Sequence, residues 1–184
     1  MFPRFSPDYR INDVLKAMQL AQPGSVQKLE SKFASISGQK HAIAFRYGRI
    51  GLYFLLKALK KNKAKYVVLP SYNCVVMAHA IVEAGFEPVF LDNCNSSFQP
   101  SIRDFINTIE QYGDKIAMVI PTHIFGITEE TSLLFRYIRE NYPSIFILQD
   151  CAHGFFCTDK NGLLASEFSD GTLYGMNISK LVNI

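Results

Sequence analysis

From residue 41 onward, short runs of consecutive apolar residues alternate with longer segments in which apolar positions recur every three to four residues. The short runs, at residues 42–45, 66–69, 88–91, 116–120 and 145–148 with a sixth around 172–176, are apolar on successive positions, as strands are when helices cover both faces of their sheet. Between them, Ile102, Phe105, Ile106 and Ile109 recur at helical spacing behind Ser101-x-x-Asp104, a pairing that resembles a capping box. Residues 48–59 and 75–84 read as two further helices, and Leu133, Leu134, Tyr137 and Ile138 mark another that opens near Thr128. This alternation predicts an α/β fold: three α/β/α layers around a mainly parallel sheet.

Upstream, residues 11–21 read as a helix that stops at Pro23-Gly24, and residues 25–34 as another with Val26, Leu29 and Phe33 turned inward. The expected division is a helical segment over residues 1–25 and one domain over residues 26–184.

A hydrophobic content of 48% against 19% charge excludes wholesale disorder and supplies enough apolar surface for a core. The net charge of +3 is small, and the one cationic run, Lys60, Lys61, Lys63 and Lys65, follows a predicted helix as a solvated C-terminus would. Nucleic acid is therefore not an expected partner. No apolar run reaches membrane-spanning length and Met1 to Phe5 carry no targeting pattern, so a cytoplasmic protein with no membrane partner is expected. The four cysteines, Cys74, Cys94, Cys151 and Cys157, contain no C-x-x-C pair and no companion histidine spacing, which predicts free thiols and no metal site. The chain stops at Ile184 without a cap or polar tail and reads as interrupted.

Ligands of a parallel α/β sheet collect beyond the carboxyl ends of its strands, and three such places carry chemistry. At Tyr47-Gly48-Arg49 a run turns into a helix at a glycine; the first helical amides can bind a phosphate, with Arg49 adding charge. At Gln149-Asp150-Cys151-Ala152-His153 a buried strand ends in an acid. That carboxylate can hold a cationic ring nitrogen, a metal or a ribose hydroxyl, and the motif alone does not choose. The third is Tyr174-Gly175-Met176-Asn177-Ile178-Ser179-Lys180, a strand followed by a small polar turn and a lysine. An isolated glycine at 48 lacks the spaced glycines of a dinucleotide fingerprint, which disfavours a generic nucleotide-binding domain.

Taken in order, Leu29-Glu30-x-x-Phe33-Ala34, Gly38-x-Lys40, Tyr47-Gly48-Arg49, residues 69–74 (Leu-Pro-Ser-Tyr-Asn-Cys), residues 85–92 (Gly-Phe-Glu-Pro-Val-Phe-Leu-Asp), Pro121-Thr122-His123-Ile124-Phe125-Gly126, residues 149–153 and Ser179-Lys180 resemble the DegT/DnrJ/StrS family of sugar aminotransferases. The resemblance implies the large, aspartate aminotransferase-like domain of a fold type I enzyme dependent on pyridoxal 5'-phosphate (PLP), ending shortly after its lysine. It implies a homodimer that moves an amino group, from glutamate, to a nucleotide-linked keto-sugar. Lys180 matches the lysine that carries the cofactor, and Asp150 the acid that pairs with the pyridine nitrogen. His153 stands next to the phenolic oxygen, Tyr47, Gly48 and Arg49 in the phosphate turn, and Cys74 where a residue packs on the ring. His123 belongs to the family's His-x-x-Gly block, where hydrogen bonding within the fold is an equal reading. Three positions depart from the pattern: Tyr47-Gly48-Arg49 replaces Ser-Gly-Thr, Cys74 replaces an aromatic, and Gly175 replaces a phosphate-binding serine, leaving Asn177 or Ser179 to take its place. Two other outcomes are weighed, a sugar dehydratase, against which Lys180 argues, and a non-catalytic or incomplete PLP-fold module.

Overall fold

The computed structural model describes residues 11–12, 23–59, 64–94, 97–128, 131–159 and 161–176. The chain divides into two compact units, one of residues 47–175 and the other of residues 1–46 with 176–184.

In the second of these, helix α1 (Ser25–Ser37) starts after Gly24 and ends at Gly38. The helix expected over residues 11–21 lies largely outside the described residues. Residues 41–45, where the apolar run predicts a strand, form none. The Ala44 amide donates to Glu30 Oε1 at 2.8 Å instead of to a ladder, and Ile43 is 73% exposed. An apolar run becomes a strand only where a neighbour pairs with it, and among the described residues none does.

The unit of residues 47–175 holds a five-stranded sheet. Its strands are β1 (Tyr66–Pro70), β2 (Glu87–Leu91), β3 (Ile116–Val119), β4 (Phe146–Cys151) and β5 (Gly171–Tyr174). All pair in parallel, in the order β2-β1-β3-β4-β5. β2 lies at an edge, which is where Pro88, lacking an N–H, is tolerated.

The four helices are α2 (Gly48–Leu59), α3 (Val75–Glu83), α4 (Ile102–Tyr112) and α5 (Ser132–Asn141). The capping box expected at α4 is present: the Asp104 amide donates to Ser101 Oγ at 3.1 Å and the Ser101 amide to Asp104 Oδ2 at 3.1 Å.

Strand alternation sorts the core into two layers. Val67, Leu69, Met118 and Leu148 pack with Leu52 and Leu56 of α2 and Met77 and Ile81 of α3. Val68, Val119 and Ile147 pack on the opposite face with Phe105 and Ile109 of α4 and Leu134 and Ile138 of α5. Each of the fully buried leucines and isoleucines contributes about 1.5–3 kcal/mol through burial. The winding runs outward from β1 to β2, then jumps back past β1 to β3 and continues the other way. The connections leaving β1 and β3 therefore climb opposite faces, and the carboxyl edge splits between those two strands.

Candidate active site

β4 delivers two consecutive polar side chains to the carboxyl edge, one to each face. Ile147 packs in the α4/α5 layer and Leu148 in the α2/α3 layer, so Gln149 falls on the former face and Asp150 on the latter. Gln149 Nε2 donates to Thr131 Oγ1 and to the Phe168 carbonyl, each at 3.0 Å, and its Oε1 lies 2.8 Å from His123 Nε2. His123 is wholly buried on this face.

Asp150 is 4% exposed, and its Oδ1 accepts the Ala152 amide at 3.0 Å. Its main chain is held on both sides, donating to the Pro121 carbonyl, accepting from the His123 amide, and lying beside Leu173 of β5. Leu173 leads on to the start of α2: a Cβ built on Gly48 meets the Leu173 side chain at 3.4 Å. The amino end of α2 thus sits over the end of β5, one strand from Asp150 and in the same layer.

No acidic residue lies in the first turn of α2, and its first backbone bonds return to the Tyr47 carbonyl from Ile50 (3.0 Å) and Gly51 (3.4 Å). The Gly48 and Arg49 amides precede those bonds and form, with the helix dipole, an anion-binding end. The Arg49 guanidinium carbon stands 4.5 Å from the Tyr47 ring centroid. Arg49 also borders a hollow between α2 and α3 with Tyr53, Val76, His79 and Glu83, a hollow that includes neither Asp150, His153 nor Cys74.

Gly175, which departs from the family serine, has a steric cause. A Cβ there would lie 2.9 Å from the Ala152 carbonyl oxygen, a backbone atom of the loop that follows Asp150. Gly175→Ser should destabilise the chain by about 1–3 kcal/mol, read as a lower denaturant midpoint at unchanged slope. An unchanged midpoint would show that the 152 loop yields freely.

Cys74 is exposed at the amino end of α3, its amide donating to Asn73 Oδ1 at 2.6 Å. Asn73 Nδ2 in turn donates to Thr122 Oγ1 at 2.9 Å, and Thr122 bridges to Asp150. Asn73 and Thr122, not singled out from sequence, thereby tie the ends of β1, β3 and β4 together across the split. His153 is half-buried, and its ring is the end of a row formed with Phe125 (centroids 6.1 Å apart), Phe98 (5.4 Å further) and Tyr72 (5.7 Å further). Phe125 holds a left-handed backbone, φ 56°, that places this ring at half exposure, a conformation phenylalanine adopts at a cost. The structure therefore carries Tyr47, Gly48, Arg49, Cys74, Asp150 and His153 in one unit; hydrogen bonds and the Thr122 bridge link the acid to Cys74, and the α2 end stands against Leu173, the neighbour of Asp150 on β5. Asn177, Ser179 and Lys180 lie outside the described residues.

The face of β4 opposite Asp150 carries Cys151, 2% exposed, whose Sγ lies 4.0 Å from Cys157 Sγ. Hydrogen bonding to the Cys157 sulfur, then burial, pushes the Cys151 thiol up. The reciprocal bond, Cys151 S–H donating to a Cys157 thiolate, holds Cys157 down to about 7. Alkylation of Cys157 by iodoacetamide in the metal-free chain should thus be slow below pH 6, half-maximal near pH 7 and level above pH 8, because only the thiolate reacts. A midpoint above pH 8 in peptide mass mapping would show that Cys151 gives it no such support.

A sequence model of the DegT/DnrJ/EryC1/StrS aminotransferase family matches residues 7–177. Among curated relatives, GDP-perosamine synthase of Escherichia coli O157:H7 is 25% identical over 79% of this chain and 39% of its own length. The dTDP-4-amino-4,6-dideoxy-D-glucose transaminase of Escherichia coli is 29% identical over 74% of this chain and 35% of its own. Among solved structures, Spr1654 of Streptococcus pneumoniae in its PLP form superposes with a TM-score of 0.80 at 18% identity, over 97% of this chain and 49% of that one. The chain thus spans less than half the length of these relatives.

Proposed function

Since this chain belongs to the DegT/DnrJ/EryC1/StrS aminotransferase family, we propose that it forms the PLP-binding part of an enzyme that transfers an amino group from glutamate to a nucleotide-linked keto-sugar. The observation that carries this reading is the buried Asp150 at the end of β4, in the same sheet layer as the anion-binding end of α2.

The donor set fits PLP. A planar heterocycle with a basic nitrogen at one side and a phosphate at another needs a buried acid and a cluster of N–H groups a ring's width away. Asp150 and the Gly48 and Arg49 amides supply those two chemistries in one layer, and Gly175 lets the chain leaving β5 pass close against the Ala152 carbonyl, where a Cβ would lie at 2.9 Å. When bound, PLP supplies an electron sink for the substrate carbon that exchanges its amino group.

The chain's own residues do the rest. Asp150, carrying a negative charge in a buried setting, holds a proton on the ring nitrogen, which is what makes the ring electron-accepting. The Asn73–Thr122 bond and the paired main chain on both sides keep the acid from turning away. His153 would stand on the phenolic side of the bound ring and Cys74 would pack on it, its small sulfur covering less of that ring than an aromatic would. The Lys180 amine would hold the cofactor at rest and, when free, would take a proton from the substrate carbon and return it. A second copy of the chain is the proposed partner; Phe54, Val75 and Val82 on α2 and α3 are 55%, 63% and 58% exposed and suit such an interface.

The test is turnover. Incubated with PLP, glutamate and a nucleotide-linked keto-sugar, the protein should yield an amino-sugar and 2-oxoglutarate in equal amounts. Loss of a hydroxyl from the sugar without 2-oxoglutarate would replace transamination by dehydration, and PLP binding with no product from any keto-sugar would support the non-catalytic reading.

A further inference from the structure

A helix and a strand, α5 and β4, separate His123 from Cys151 in sequence, and a loop parts Cys151 from Cys157, yet a ring nitrogen of His123 and the two thiol sulfurs lie within 4.8 Å of one another. His123 and Cys151 are 0% and 2% exposed, and Cys157 is half-buried. This group sits on the α4/α5 face of β4, across the strand from Asp150, so it is distinct from the proposed cofactor site.

The hydrogen bonds around His123 fix its tautomer. Gln149 Nε2 donates both of its hydrogens, to Thr131 Oγ1 and to the Phe168 carbonyl, and a carbonyl can only accept. The amide oxygen is therefore the atom 2.8 Å from His123 Nε2, and Nε2 must be the donor. That places the ring's lone pair on Nδ1. An imidazole whose remote N–H is held by an amide oxygen, itself anchored twice, is the outer-shell arrangement that orients histidine ligands of metals.

The spacing of the sulfurs points the same way. A disulfide needs about 2.05 Å between them. Two thiolates on one tetrahedral zinc, each about 2.3 Å from the ion, stand about 3.8 Å apart, and the observed separation is 4.0 Å. Gly154 makes the convergence sterically feasible: a Cβ there would lie 2.8 Å from Cys157 Sγ and 3.2 Å from His123 Cβ. Thr128 Oγ1 is buried beside the Cys157 sulfur, where it can donate to a bound thiolate.

We propose that His123 Nδ1, Cys151 Sγ and Cys157 Sγ form a binding site for a thiophilic divalent cation such as zinc, with a solvent molecule in the fourth position. Binding releases to solvent whatever protons the two thiols still hold as the sulfurs become thiolate ligands, so no oxidant or reductant is involved. The ion pins the loop of residues 152–157 to the ends of β3 and β4, behind the acid that the cofactor uses.

Cobalt is the probe, because a thiolate–cobalt pair absorbs in the near ultraviolet and a tetrahedral cobalt ion in the visible. The reduced, chelator-treated chain titrated with Co²⁺ should take up about one equivalent with both bands, and Zn²⁺ should bleach them. Cys157→Ser and Cys151→Ser should lose the bands, while Cys94→Ser, with a thiol elsewhere, keeps them. In case the cysteine variants fold poorly, a second measurement uses the unaltered chain: Zn²⁺ should slow alkylation of Cys157 by about tenfold or more and leave Cys94 unchanged. Uptake below about a tenth of an equivalent, bands that persist in Cys157→Ser, a Cys151–Cys157 disulfide in the reduced preparation, or no protection of Cys157 would each overturn the site.

Discussion

Lys180→Ala should abolish covalent retention of the cofactor. Unaltered protein incubated with PLP and reduced with borohydride should carry the reduced cofactor on the peptide that contains Lys180, and the label should survive denaturation. The alanine variant should release it. Transamination should fall by about 10³-fold or more, since the same amine both anchors the cofactor and moves the proton. The expectation rests on the order of matched motifs, which places a lysine a few residues beyond the strand that lies next to Asp150. Equal labelling of the alanine variant would move the anchoring role to another lysine and undo the assignment.

Asp150→Asn should be nearly as damaging to turnover while leaving the fold intact. The asparagine oxygen can still accept the Ala152 amide now bound at 3.0 Å, so stability should change by less than about 1 kcal/mol. What the proposed function has it lose is the buried negative charge that would keep the ring nitrogen protonated. A loss of about 10²–10³-fold in kcat is expected, the scale of removing one preorganised electrostatic contact, with a smaller change in KM for the sugar. Asp150→Ala should lose both turnover and stability. Full activity in the asparagine variant would mean that the acid merely caps its loop.

Most of the sheet was legible because burial on both faces leaves a run of apolar residues with little ambiguity. Residues 66–69, 88–91 and 116–120 each became a strand within a residue of the expected bounds, residues 145–148 became a strand that runs on three residues to Cys151, and α2 and the capping box of α4 fell where the spacing put them. Residues 42–45 misled for an identifiable reason: Ala-Ile-Ala-Phe has strand composition, but pairing is a tertiary property, and the Ala44 amide finds a side chain instead. Asp150 and Gly48 could be read as chemistry from their place at the ends of elements. The Cys151–Cys157–His123 group could not, because its members meet only after β3 and β4 align and a loop folds back; the 27 residues between His123 and Cys151 follow no ligand spacing. Gly154, a glycine between two cysteines, was the one local mark of that crowding.

The reversal of winding at β1 has a bearing on how such a chain tolerates change. Because the connections from β1 and β3 part company, a gap opens there as a matter of path, whatever residues line it, and the Asn73–Thr122 bond is a stitch across its floor. Cys74, which follows β1 where the family has an aromatic, alters the upholstery of that gap and not its frame. The walls can thus be refitted while the topology goes on supplying the room.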